Sequence, residues 1–289
     1  MKTISLPNIT ESTTERTSGL VLSEPVRVNK AIKFFFIIFL VTVYASSCFS
    51  QSSGNNAFQA GEMLRFKGSY YTTSLWADLA EIRIDVSEIN SDGKSLYSIK
   101  AIASTYSDYD AFFKIRDLYQ TWVDKKDIKP YIFKRNVDEG GYKFNMKYVI
   151  KRSSLQAKYE YERNGETKTS MIKIQDNTQD FVSVLYYVRT LNFEKMALNK
   201  TISIPVLVGE KTNDIVLVYK GKETLKTETF GSKTCYKLGV SIRSEAFVNK
   251  ESNNVWLTAD KNKIPVLVKA EIPAGSVQLR LVEAIGIKN

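Results

Sequence analysis

The chain contains no histidine. That removes the commonest general base and the commonest nitrogen ligand for a metal. Serine hydrolases built on a Ser-His pair are excluded, and no Gly-x-Ser-x-Gly elbow is present. Cysteine is nearly missing too: Cys48 follows the longest apolar run and Cys235 lies far downstream. No cysteine pair has zinc-ligand spacing. A Cys235 thiolate would lack the paired base that activates such nucleophiles. No glycine-rich phosphate loop occurs, since Gly140-Gly141 reads as a turn. Asp108 and Asp110 lack the glycine and terminal glutamate of a calcium loop. The carboxylate pairs Asp138/Glu139 and Glu160/Glu162 flank hairpin turns or face water by parity, which predicts solvated surface. The sequence therefore assigns no catalytic residue, no metal ligand and no cofactor.

No apolar stretch reaches the roughly 20 residues of a spanning helix. The longest, Phe34 to Val41 extended by Thr42 to Ala45, follows Lys30 and Lys33 and ends in small residues. A basic flank, a short apolar core and a small-residue exit predict a signal peptide over 30–50. Ala45-Ser46-Ser47-Cys48 resembles a lipobox, which would lipidate Cys48; the competing exit is a cut after Ser50 that leaves Gln51 first. Residues 1–29 are polar and read as disordered or as lying ahead of the true start, near Val26 or Val28. Residues 51–57 read as a linker and 58–287 as a single β-rich domain. The expected location is outside the cytoplasm, periplasmic or associated with the outer membrane, and the membrane is met only through the signal or a lipid anchor. The net charge is +10, but the lysines are scattered, which predicts a solvated basic surface. Export argues against nucleic acid as a partner.

Period-two alternation dominates the rest. Ile82, Ile84 and Val86 alternate with Glu81, Arg83 and Asp85, and Phe144, Met146, Tyr148 and Ile150 alternate with polar neighbours. Asp92-Gly93, Gly140-Gly141 and Asn164-Gly165 mark hairpin turns. One segment differs: Phe181, Val184, Leu185 and Val188 fall at i, i+3, i+4 and i+7, which predicts a helix over about 178–191. A short second helix is expected within Ser107 to Phe113. The fold class is mainly β, a curved antiparallel meander or half-barrel with one helix packed against it.

Aromatic residues are plentiful, with 16 Tyr, 15 Phe and 3 Trp. Trp122, Phe133 and Phe144 fall in their two densest clusters. On a concave face they are either core beneath the helix or the wall of a pocket for an apolar ligand.

Three stretches also carry a family likeness. They are Gly61-Glu62-Met63-Leu64-Arg65-Phe66, Asp176 with Asp180 to Arg189, and Val255-Trp256 through Asp260-Lys261-Asn262-Lys263-Ile264-Pro265-Val266. In order and spacing the chain resembles the exported bacterial family designated domain of unknown function 3108. The resemblance implies an exported β-rich protein and brings no activity with it. The architecture is also similar to periplasmic half-barrels that carry lipoproteins, which is an analogy of fold. A functional patch is expected near Asp176, Asp180, Tyr187, Arg189, Trp256 and Asp260. The competing reading of those residues is helix capping plus a buried ion pair between Arg189 and an acid. The expected function is a non-enzymatic envelope protein binding an apolar or lipid-like ligand. The alternatives are a structural or protein-binding envelope module and, third, an enzyme that uses neither histidine nor metal.

Overall fold

The structure is a computed structural model that describes residues 54–72, 76–91, 93–111, 113–163, 165–242, 253–272 and 275–289. Residues 1–29, the expected signal peptide with Cys48, and residues 51–53 of the expected linker lie outside the described residues. Strands are β1 (Met63–Tyr71), β2 (Trp76–Ser91), β3 (Lys94–Thr105), β4 (Arg116–Asp124), β5 (Pro130–Glu139), β6 (Tyr142–Lys151), β7 (Gln156–Arg163) and β8 (Glu166–Lys173). The helix α1 (Ser183–Arg189) follows. Then come β9 (Thr201–Val208), β10 (Lys211–Thr227), β11 (Gly231–Ile242), β12 (Asn254–Thr258), β13 (Pro265–Ile272) and β14 (Gly275–Ile285). The expected second helix is a single 3-10 turn, Ser107–Tyr109.

All strands join one antiparallel sheet in the order β8-β7-β6-β5-β4-β3-β2-β1-β14-β13-β12-β11-β10-β9. Read as a ring, this is an up-and-down barrel slit between β8 and β9. The chain crosses the slit through α1, so the helix fills the sheet instead of lying outside it. Gln179 stitches the crossing to the β9 edge: its N–H donates to the Pro205 carbonyl (2.8 Å) and its carbonyl accepts from Leu207 N–H (3.0 Å). Pro205 has no N–H to offer, which suits an edge strand. Across the slit the Tyr148 hydroxyl donates to the Gly209 carbonyl at 2.8 Å.

The helix is shorter than its periodicity predicts, because Gln179 pairs with β9 and Phe181 and Val182 form a turn ahead of Ser183. It is also apolar on both sides. Val184 and Val188 pack with Ile204, Ile215, Leu217 and Leu238 from the β9–β12 arm. Val182 and Tyr186 pack with the inner face of the β1–β8 arm. That inner face is filled by side chains. Phe133 and Tyr148 are wholly buried and stack at 5.9 Å, with Phe181 6.2 Å from Phe133. The series continues through Tyr159, Tyr161 and Phe144 at ring separations of 5.1 to 5.9 Å. Of the aromatics expected to wall a hollow, Phe133 is core and Phe144 packs against it, whereas Trp122 lies on the other face of β4. Phe133→Ala should cost about 3–5 kcal/mol in urea denaturation, as core aromatic truncations do; a hollow concave face would lose far less.

Candidate functional site

The largest fully buried side chain is Arg189, at the end of α1. Its Nη1 and Nη2 donate to the two carboxylate oxygens of Glu62 at 2.6 and 2.7 Å, a bidentate pair with both side chains at 1% exposure or less. Its Nε donates to the Asn262 carbonyl (3.0 Å) and Nη2 also to the Ala57 carbonyl (3.2 Å). Phe58 and Tyr186 place their rings 5.3 and 5.0 Å from the guanidinium carbon. Burial works against the cation, and the Glu62 carboxylate outweighs it, so the Arg189 pKa is held above its ordinary value. The three stretches that carry the family likeness meet here. Glu62 belongs to the first, Arg189 ends the second, and Asn262 belongs to the third.

The loop supplying Asn262 is shaped by Asp260. Its Oδ1 accepts the Thr258 hydroxyl (2.7 Å) and the N–H groups of Asn262 (3.0 Å) and Lys263 (3.1 Å). Lys233 pairs with its other oxygen at 2.9 Å. Burial opposes the Asp260 charge, but Lys233 and Thr258 outweigh it and hold its pKa below the usual carboxylate value. The chain end closes the far side, where Asn289 N–H donates to Asn262 Oδ1 at 3.0 Å. Gly286 permits this approach: a Cβ there would sit 2.1 Å from the Gly61 carbonyl oxygen.

Beside this node lies a cleft of about 320 Å³ between the segment after α1 and the 259–263 loop. Its walls include Leu191, Phe193, Glu194, Tyr236, Asp260 and Lys263. Glu194 accepts the Tyr236 hydroxyl at 2.5 Å and pairs with Lys222 at 3.0 Å. Both acids of the cleft are thus held by cations outside its lining. Lys263 differs. It sits at φ 45°, in the left-handed region, and no carboxylate lies within 4 Å of its amine among the described residues. Burial and then the Arg189 charge lower its pKa.

The ligand-binding candidates Trp122, Phe133, Phe144, Tyr187, Arg189, Trp256 and Asp260 do not converge on one pocket. Phe133 is core, and Phe144 is half-buried in the same aromatic series. Tyr187 is half-buried on α1. Trp256 sits on the opposite side of β12 from the helix, its Nε1 donating to Glu223 at 3.1 Å and its ring flanked by Lys237 and Lys269. Trp122 projects from the convex face. Of these candidates Asp260 lines the cleft, while Arg189 is buried next to the Asn262 backbone of the same loop. Asp180 caps the turn into α1, accepting the N–H groups of Val182 (2.8 Å) and Ser183 (2.9 Å) and the Thr121 hydroxyl (2.6 Å). Burial pushes its pKa up in spite of those donors. Asp176 is exposed and pairs with Lys129. Cys235 is buried and free, its thiol pushed up to about 11 by burial.

The parity argument missed Glu139. It is 3% exposed and points inward with Asp117, Tyr119 and Arg135 at the edge of the sheet where β4 begins and β5 ends. The Tyr119 hydroxyl donates to Asp117 Oδ2 at 3.2 Å, and Asp117 Oδ1 accepts Asp138 N–H at 3.1 Å. Burial pushes the Asp117 pKa up. Arg135 lies over the Tyr119 ring at 5.4 Å.

The model of the family described as a protein of unknown function, DUF3108, matches residues 65–282. The chain belongs to the DUF3108 family. No curated protein matches it. Among solved structures it is similar to the crystal structure of a β-barrel-like protein of the domain of unknown function DUF1849 from Brucella abortus. The TM-score is 0.53 at 7% identity, over 81% of this chain and 100% of that one. That likeness shows the fold alone. Arg189, Trp256 and Asp260 fall inside the DUF3108 match, and Glu62 lies just ahead of it.

Two predictions follow from this geometry. Glu62→Gln strands a buried guanidinium, so it should lower stability by about 3–5 kcal/mol. A Glu62→Leu/Arg189→Leu double variant should lose less than the sum of its single variants, read by denaturant titration. The second concerns Asp117. A carboxyl whose folded pKa lies above its unfolded one stabilises the fold fully below about pH 4, and that contribution is lost as pH rises through the folded value. Melting temperatures of Asp117→Asn from pH 4 to 8 should therefore decline less with rising pH than those of the wild type; parallel curves would remove Asp117 as the source.

Proposed function

We propose that this DUF3108 chain is an exported, non-enzymatic envelope protein that binds a small amphipathic anion in the cleft beside α1. Export is supported by the basic flank, short apolar core and small-residue exit over 30–50. The observation that carries the binding reading is Lys263. Its amine lines a cleft whose two acids are already paired, and its neighbours Leu191, Phe193 and Tyr236 give an apolar floor. A ligand with an anionic head and a short apolar body satisfies both. The volume sits at the low end of the range for small-molecule sites. Phe133, Tyr148 and Phe181 pack against one another on the inner face of the β1–β8 arm, which supports a ligand seated in this cleft instead. A non-enzymatic role is supported by the way Asp260 and Glu194 are each held by several donors, which suits fixing a shape better than exchanging protons.

Octanoate and 1-octanol separate the charge from the chain. Calorimetric titration should show octanoate binding and octanol at least tenfold weaker. Lys263→Met should remove that preference. Because the ammonium binds the anion and burial lowers its pKa, affinity should fall with rising pH, and at a lower pH than for an ordinary lysine. Equal binding of acid and alcohol would defeat the reading.

A further inference from the structure

The convex face of the β4–β8 arm differs in kind from the convex face of β1, β2 and β14. On the latter, charges cancel locally. Arg65 pairs with Glu81 at 3.1 Å and Glu283 at 2.7 Å, Arg83 with Asp85 at 2.8 Å, and Arg280 with Asp78 at 3.0 Å. On the β4–β8 arm, cross-strand register places Trp122 beside Ile132, Ile132 beside Val149, Val149 beside Lys158 and Lys158 beside Met171. This row faces outward, because Thr121, Phe133, Tyr148, Tyr159 and Ile172 next to it all point into the core. Val149 is 36% and Met171 59% exposed, although a β-sheet's solvent face ordinarily carries polar residues. Leu155, in the turn before β7, adds a further apolar side chain at 42% exposure.

Lysines rim this row on both sides. Lys134 and Lys147 lie opposite each other along one flank, and Lys151 and Lys173 lie on either side of Gln156 along the other. None of these four has a carboxylate within 4 Å among the described residues. Lys158, within the row, pairs with Glu160. Glu160 also lies opposite Lys147 in the strand register, and with Glu162 it lines a shallow groove of about 260 Å³ that also holds Lys134, Lys147, Asn136 and Asn145. The Lys134 amine sits 5.6 Å from the Trp122 ring centroid. Apolar side chains at the centre, lysines around them and an interfacial tryptophan match the chemistry of a bilayer surface: acyl boundary, anionic headgroups and the zone between.

We infer that the convex face of β4–β8 docks on an anionic lipid bilayer, with Trp122, Ile132, Val149 and Met171 entering the headgroup boundary and the flanking lysines meeting the lipid charges. This contact is independent of the cleft beside α1. It also differs from the membrane contact expected of the N-terminal signal, because it uses the folded sheet.

The test uses the full chain and vesicles of phosphatidylglycerol or phosphatidylcholine in a sedimentation assay. Every protein compared carries the apolar run at 34–45, so differences report on the sheet. The wild type should bind phosphatidylglycerol vesicles and release with added salt, since exposed charges are screened. Each lysine near an anionic surface is worth about fivefold in partitioning, so Lys134→Gln/Lys147→Gln should weaken binding roughly 20- to 30-fold. Met171→Ser should weaken it in low and high salt alike. Bromine-labelled phosphatidylglycerol should quench wild-type tryptophan fluorescence, and Trp122→Phe should lose most of that quenching. These surface variants should keep the wild-type circular dichroism spectrum. Equal binding of phosphatidylcholine, unchanged partitioning of the lysine variant, or unchanged quenching in Trp122→Phe would each overturn the inference. So would capture of an acidic protein by this face without any vesicle binding.

Discussion

The ion pair between Arg189 and Glu62 is the constraint on which the arrangement turns. It joins the last residue of the helix to the approach to the first strand, and it draws in the backbone of residues 57 and 262. Two charges removed from water are costly unless every donor and acceptor is matched. Here the matching is nearly complete, since the guanidinium meets both carboxylate oxygens and two carbonyls. The cost of a partial match explains why the N-terminal segment, the 259–263 loop and the chain end all converge on this point. A buried Arg–Glu pair tolerates little displacement, so it fixes register as well as position.

The helix held by that pair also explains why the sheet stays open. An up-and-down barrel of this many strands encloses more space than side chains alone fill. The helix occupies that space, with one flank on the β9–β12 arm and the other on the β1–β8 arm. Asp180 and Thr121 fasten its start to β4, and Arg189 fastens its end. The crossing strand segment at Gln179 then covers the β9 edge, which protects part of an otherwise exposed row of backbone donors and acceptors. With its interior filled, the molecule presents its chemistry at the helix end and on its outer face.

The strand pattern was legible because a period of two is a local property. Tyr142–Lys151 appears in the structure as its alternation and flanking Gly-Gly turn predict. The helix was legible in kind but not in length, because its first expected turn is taken by pairing with β9, a contact made across the slit. Glu139 was misread for a related reason. Parity separates two faces without saying how far along a strand the inner face remains buried, and the arm curls enough to enclose that strand end. The pairing of Arg189 with an acid was foreseeable as a type of contact, yet the acid is 127 residues away in sequence. Glu194 and Tyr236 carry no sequence signal, since each is an ordinary residue type in an ordinary context, and Lys263 falls in the third family stretch with nothing local to mark its role.

The sequence by itself determined the class of fold, the hairpin turns, the helix that ends at Arg189, and the lack of histidine-based chemistry. Each of these follows from residue type and near-neighbour spacing. Tertiary structure alone decided that the concave face is packed, that three separate stretches meet at one ion pair, and that a cleft forms beside it. It likewise decided that Trp122, Ile132, Val149 and Met171 share one outward row, because cross-strand register aligns residues from separate strands. The physical reason is the same in each case: long-range contacts depend on how the sheet curls and where the helix inserts, and no local spacing encodes either.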